Sequence, residues 1–311
     1  VNVLGINQDL SGGGGNTAVV TGTVTNASSD SLNIDALASA AANLFANAYA
    51  VATGIDQRLG AGAPNSVTQT GTVENSGSLD MAVTALADSS NSSANAFAVG
   101  SAIRQDISAG GSPDVNLTGT VTNSSGSSID MTVLADASGV SSVAGVALAT
   151  AINQRVTGGG NDDLQLSGTV DNSGSLSANA IAIAESTEDV ASVYGEVFGI
   201  RQHLRGGGGN VMTATGTVTN SSTSTIDVLA FASAAASAFA SAAVLAHGID
   251  QDISGGAGNN LTMTGNVDNS GTLSLGAVAD ADSSDDSASA SATGRGIVQK
   301  IAGGSGDDLT A

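Results

Sequence analysis

A repeat of 48 or 49 residues runs through this chain, and it restricts the fold more than any single motif does. One box reads Thr-Gly-Thr-Val-x-Asn, with its glycine at Gly22, Gly71, Gly119, Gly168, Gly216 and Gly265. A second reads Ile-x-Gln-x-(Leu/Ile/Val), with its glutamine at Gln8, Gln57, Gln105, Gln154, Gln202, Gln251 and Gln299. The Gln spacings alternate 49, 48, 49, 48, 49 and 48, and the Gly spacings keep the same alternation. Two interleaved unit types therefore build a 97-residue super-repeat. One type carries a longer turn (residues 123–129) than the other (residues 75–79). Fixed periods of this size mark solenoids, propellers and arrays, whose units bury a core only by packing on their neighbours.

Three stretches of each unit alternate with a period of two, the pattern of a strand. In residues 115–123, Val115, Leu117, Gly119, Val121 and Asn123 share one face. Residues 79–87 alternate likewise after an Asn-Ser-Gly turn, and residues 96–107 form the third, Ala-rich stretch. There the alternation is expected to set Phe97 and Val99 on one side with Ile103, Gln105 and Ile107. Gly-rich corners such as residues 206–210 lead into the next unit, and Gly and Asn suit them because they accept positive φ. Residues 233–247 have good helix propensity. Their counterparts at 287–293 alternate, and equivalent positions should share one structure, so strand is expected throughout.

The expected fold is all-β: a parallel β-solenoid of about six coils of 48/49 residues, with three strands per coil. Residues 1–311 form one repeat domain, with units near 22–70, 71–118, 119–167, 168–215, 216–264 and 265–311, and residues 1–21 completing the first coil. A six-bladed propeller is the alternative, but blades are usually separated by bulky or aromatic residues. Aromatics make up only 2% of this chain, with no Trp, whereas Gly accounts for 42 residues. Such a chain fills a thin core, where small side chains let two sheets approach. Its hydrophobic fraction of 41%, at fixed positions, separates it from Gly- and Ser-rich disordered chains.

The residue after each repeated Gln reads Asp9, Arg58, Asp106, Arg155, His203, Asp252 and Lys300, nearly alternating in sign. The residue before it reads Asn7, Asp56, Arg104, Asn153, Arg201, Asp250 and Val298. Rungs stacked about 4.8 Å apart would set each charge beside an opposite one. This favours parallel, in-register stacking with one unit per coil. The Gln residues, and the Asn that ends each first strand, would then form amide ladders bonded from rung to rung.

The runs at residues 71–79 and 168–176, Gly-Thr-Val-x-Asn-Ser-Gly-Ser-Leu, resemble coils of secreted bacterial β-helix adhesins of the filamentous haemagglutinin type. The Gln and Asn ladders with Gly turns are similar to those of curli-type fibre subunits. The first likeness covers about nine residues of each unit. The second is looser, because curlin units are shorter and space Gln and Asn differently. Both resemblances imply an extracellular or cell-surface bacterial fibre or adhesin.

A net charge of −21, from 28 acids against seven Lys and Arg, argues against nucleic acid as a partner. Lack of Cys removes disulfides and thiol chemistry, and no apolar run reaches the length of a membrane span. The chain opens on Val1 without Met, as a processed protein or a section of a longer one would. His203 and His247 occupy non-equivalent positions, and Ser and carboxylates are too abundant for any trio to stand out, so no enzyme is expected. Two Gly-rich corners carry paired acids, Asp162 with Asp163 and Asp307 with Asp308. They partly resemble the Ca2+-binding Gly-Asp repeats of secreted β-rolls, but they occur once per unit and not in tandem, and tight-turn chemistry is their ordinary explanation.

The leading expectation is a structural subunit of an extracellular filament or surface layer, assembling head to tail with copies of itself. A cell-surface anchor or matrix is a further partner. In that assembly Lys300 would sit beside Asp9 of the next copy, continuing the charge alternation. A stalk section of a large adhesin is the alternative. A third reading rests on outward threonines, including Thr21, Thr23, Thr70, Thr72, Thr118 and Thr120, which resemble the ice-binding faces of some β-solenoid antifreeze proteins.

Overall fold

The computed structural model describes all residues except 14–15, 63–64, 160–162, 257, 304–307 and 311. Among the described residues are twenty strands, β1 to β20 in chain order, and no helix. They form three parallel sheets, and each unit contributes one strand to each. Sheet A holds β1 (Asn2–Gly12), β4 (Phe45–Ala61), β7 (Ser93–Ala109), β10 (Ser142–Gly158), β13 (Val190–Arg205), β16 (Phe239–Ser254) and β19 (Ser287–Ala302). Sheet B holds β2 (Thr17–Asn26), β5 (Ser66–Asn75), β8 (Asp114–Asn123), β11 (Asp163–Asn172), β14 (Gly209–Asn220), β17 (Gly258–Asn269) and β20 (Asp308–Thr310). Sheet C holds β3 (Ser31–Ala42), β6 (Ser78–Ser89), β9 (Ser128–Gly139), β12 (Ser175–Ser186), β15 (Thr225–Ala236) and β18 (Thr272–Ser283). The chain is thus a parallel β-solenoid with one unit per coil, not a propeller, whose blades would be separate sheets.

Pairing is in register from coil to coil: Gln57 lies beside Gln8 and Gln105, and Asn123 beside Asn75 and Asn172. The alternation of 49 and 48 residues has a specific origin. Between sheets B and C the turn alternates between four residues (27–30) and two (76–77). Between sheets C and A it alternates between two (43–44) and three (90–92), in the opposite phase. The two differences offset each other to one residue, so every strand stays in register. Gly126 adopts φ 83° in one four-residue turn, the single positive φ among the described residues. The described residues of the Gly-rich corners do not use positive φ, and the other corner residues lie outside the described set. In the two-residue turns Gly is required by close approach: a Cβ on Gly174 would stand 2.6 Å from the carbonyl oxygens of Ser124 and Ser127.

The Ala-rich segment 233–247 is strand, as expected, but it is not one stretch. It covers the end of β15, a turn at 237–238 and the first half of β16. A second correction concerns the long strands of sheet A. In β7, Ala94, Ala96, Ala98, Gly100 and Ala102 point inward; then Ile103, Gln105 and Ile107 do. Two successive inward residues flip the alternation, and Phe97 and Val99 consequently face outward, where Phe97 stacks on Tyr49 with ring centroids 5.0 Å apart. The same flip occurs at Gly54 and Ile55 in β4 and at Gly199 and Ile200 in β13. Backbone pairing skips these small residues on each coil. Sheet A is therefore bent along its length.

The bend divides the core. The first arm of sheet A packs its alanines against the alanines, Ile34 and Met81 of sheet C. The second arm packs Leu59, Ile107 and Val156 against Val67, Leu117 and Leu164 of sheet B. Small residues on both facing strands keep the first layer thin. Each buried methyl contributes on the order of 0.8 kcal/mol, so the stability comes from many small, repeated terms.

Candidate functional site

The Gln ladder forms the seam between the two cores. Gln57 Nε2 donates to Gln8 Oε1 at 2.8 Å, Gln105 to Gln57 at 2.8 Å, and Gln154 to Gln105 at 2.9 Å. Gln202, Gln251 and Gln299 continue the series at 2.8, 2.8 and 2.7 Å. Each of the first six amides also donates to a backbone carbonyl of sheet B, as Gln105 does to Thr120 at 3.1 Å. A carbonyl accepts only from N–H, so this second bond fixes which way each amide points.

The Asn ladder runs along the corner between sheets B and C. Asn26 Nδ2 donates to Asn75 Oδ1 at 2.7 Å, Asn75 to Asn123 at 2.8 Å, and the series ends with Asn220 to Asn269 at 2.7 Å. Here the donors point toward later coils, opposite to the Gln donors. The two lines of amide dipoles therefore oppose each other along the axis.

The repeated glycine of the first box faces this seam. A Cβ on Gly71 would stand 2.8 Å from Gln57 Oε1, and one on Gly119 2.7 Å from Gln105 Oε1. Gly168 and Gly216 meet Gln154 and Gln202 in the same way. The two sequence boxes are thus the two halves of one contact.

The charge column stacks in the expected register, with Asp9, Arg58, Asp106, Arg155, His203, Asp252 and Lys300 on successive strands. Within this column no ion pair links successive rungs among the described residues, which corrects the expectation there, whereas in the column before the Gln the expected neighbours Asp56 and Arg104 do meet. Arg58 meets Asp56 on its own strand at 2.6 Å, and Arg104 meets Asp106 at 3.6 Å and Asp56 at 4.0 Å. Residues i and i+2 share a face, so Arg58–Asp56 and Arg104–Asp106 are linked within one strand, whereas Arg104–Asp56 and Arg205–Asp252 link neighbouring strands, the latter at 3.9 Å. Asp56 is almost completely buried, which draws both arginines to it. His203 meets Asp250 at 4.0 Å, and this contact holds the Asp250 carboxyl below its ordinary range.

All seven Lys and Arg residues lie in sheet A, together with both histidines and six acids, Asp9, Asp56, Asp106, Glu196, Asp250 and Asp252. Sheets B and C carry acids and no cation. The chain's charge is therefore segregated: one nearly balanced face and two acidic ones.

On sheet B, two outward columns read Thr21, Thr70, Thr118, Ser167, Thr215, Thr264 and Thr23, Thr72, Thr120, Thr169, Thr217, Asn266. The third column is interrupted by Glu74, Asp171 and Asp268. Of the acids considered for Ca2+, Asp162 and Asp307 lie outside the described residues. Asp163 opens β11 in an exposed position, and Asp308 opens β20 beside Asn260. Among the described residues no three His, Cys, Asp or Glu side chains group to hold a metal ion, and no helix is long and apolar enough to cross a membrane.

Sequence reasoning did not pair the glycine with the glutamine, nor find the bend. A signal for the bend exists: each repeated Ile is preceded by Gly or Ala, at Gly5, Gly54, Ala102, Ala151, Gly199, Gly248 and Gly296. The chain matches no protein-family model, no curated protein and no solved structure.

Proposed function

We propose that this chain is a structural rod element of an extracellular fibre or surface layer, extended by in-register stacking of further coils on its end strands. The observation that carries the reading is the polarity of the ladders. Among the described residues, Gln299 Oε1 meets no donor at one end, and Gln8 Nε2 at the other donates only to Thr23. Likewise Asn269 Nδ2 has no acceptor, and Asn26 Oδ1 has no donor, among the described residues. A copy placed with its β1 on β19 would join donor to acceptor in the Gln ladder. It would also set Lys300 beside the copy's Asp9. Unpaired strand edges of this kind are templates for addition, and head-to-tail addition gives an open filament.

The adhesin-stalk reading is supported by the runs at residues 71–79 and 168–176, which resemble coils of secreted β-helix adhesins. Electron microscopy of the purified chain tests the two readings. Filaments with an axial repeat of about 4.8 Å support end-on assembly. Separate rods of constant length move the function to a stalk, and globular or ring-shaped particles overturn both.

A further inference from the structure

The chain has five Phe and two Tyr, and six of these seven lie on one surface, the outer face of sheet A before its bend. There Tyr49, Phe97, Val146 and Tyr194 form an outward column on β4, β7, β10 and β13. Val51, Val99 and Leu148 form the next column, which Leu245 continues on β16 beyond Glu196. Phe45 is 68% exposed and Tyr49 56%. Among the described residues, Glu196 is the one formal charge at the outward positions of these five strands before the bend. It stands at the bend end of the face, in a cavity it shares with Arg104 and Arg201, and His247 at the same end is buried. A contiguous apolar surface of this kind marks an interaction site more often than a free monomer face.

We propose that this face pairs two copies of the chain about a two-fold axis, sheet A against sheet A. Charge is the first reason for a second copy. Every strand of sheet C carries an acid, sheet B carries acids and no cation, and the second arm of sheet A is occupied by its own ion pairs. With a net charge of −21, two copies repel through their acidic sheets and meet least repulsion through this arm. A face with a single acid does not select a charged partner of either sign.

Shape is the second reason. The outward side chains form ridges repeated about every 4.8 Å along the axis. Another copy presents ridges of the same period, so the two sets interdigitate over the whole face, as in the dry interface between paired identical sheets. A partner without that period fits only part of it. Area is the third. The arm before the bend (residues 45–53 in β4) and its four neighbours cover about 30 Å by 24 Å. Pairing therefore buries roughly 1,400 Å2 in total, within the range of stable interfaces. A two-fold pair closes on itself and leaves the strand edges at both rod ends free. It is thus independent of end-on stacking, and it would make a fibre built by that stacking two rods wide.

The test is small-angle X-ray scattering of the intact chain at about 100 µM, well above the micromolar Kd that interfaces of this size reach. The scattering gives mass per unit length, which does not depend on how long the rods are. It is expected to be twice that of one solenoid. Leu148→Asp, on the middle strand of the face, sets two like charges near the two-fold axis and should weaken pairing at least tenfold, as should Phe97→Asp. Leu134→Asp, on the outer face of sheet C, should leave pairing unchanged. All three side chains point outward, and urea denaturation checks that the variants stay folded; scattering from the unaltered chain decides the matter if they do not. Rods of single width at that concentration, whether separate or joined end to end, would overturn the proposal, as would an equal loss in Leu134→Asp. Lys300→Asp, which probes the end-on joint, should leave the cross-section unchanged, so the two readings fail separately.

Discussion

Gly119 and Gln105 meet across the core, with the amide oxygen of Gln105 2.7 Å from where a Cβ on Gly119 would lie. The glutamine is held by three bonds, to Gln57, to Thr120 and from Gln154. It has no room to retreat. Gly119→Ala is therefore expected to destabilise the chain by about 1–3 kcal/mol through overpacking. Urea denaturation checks this, and a change below 0.5 kcal/mol would show that the ladder yields.

Gln105→Leu tests the ladder from the other side. It removes the acceptor of Gln154 and the donor to Gln57, leaving two buried amide groups short of a partner. At about 1–3 kcal/mol for each unsatisfied group, a loss of about 2–6 kcal/mol is expected. The same measurement on Gln299→Leu, at the end of the ladder, should show a much smaller loss.

Gln69 is an exception in a column otherwise filled by Val20, Leu117, Leu166, Ala214 and Met263. It is fully buried; its Nε2 donates to Ser108 at 3.1 Å, and its Oε1 has no partner. Gln69→Leu should stabilise the chain by about 1 kcal/mol, because an apolar side chain removes a buried unsatisfied oxygen. A destabilised variant would show that the Ser108 bond outweighs it.

His247 predicts a pH dependence. It is buried against Phe198, with both ring nitrogens unpartnered, and burial pushes its pKa below the ordinary 6.5. The neighbouring Asp250 and Glu196 oppose that shift, and Arg295 and Arg201 add to it. Below pH 6.5 the unfolded chain takes up a proton that the folded chain refuses, so stability falls as pH drops through 6.5 toward the folded pKa. His247→Leu should remove that part of the slope. Denaturation at pH 7.5 and 5.5 compares the two chains, and identical slopes would remove His247 as the cause.

In the proposed end-on stacking, Lys300 would sit beside Asp9 of the next copy. Lys300→Asp should shorten or abolish filaments, and Asp9→Lys combined with it should restore them. Filament length measured by microscopy decides this, and unchanged assembly of the single variant would count against the joint.

The paired Thr columns of sheet B give a further measurement. Thermal hysteresis of the intact chain, lost in Thr72→Glu and Thr120→Glu, would support the ice-binding reading. Absence of hysteresis leaves threonine its ordinary role as a good strand residue.

The sequence by itself determined the strands, the one-unit coil and the register. A fixed period, with Gln, Asn and charged residues at matching positions, favours the parallel arrangement in which the repeated Gln and Asn amides bond from rung to rung. Residues 115–123 were legible because their alternation is unbroken. What required tertiary structure was anything that depends on two distant strands meeting, or on a local exception to alternation. Within one strand, Phe97, Val99, Ile103, Gln105 and Ile107 keep an unbroken period of two, and only the small residue before the Ile in all seven units marks where two successive residues turn in. The bend exists because one arm of sheet A must face sheet C while the other faces sheet B. Likewise Gly119 reads as an ordinary strand glycine until Gln105, on another sheet of the same coil, fills the space its missing side chain leaves.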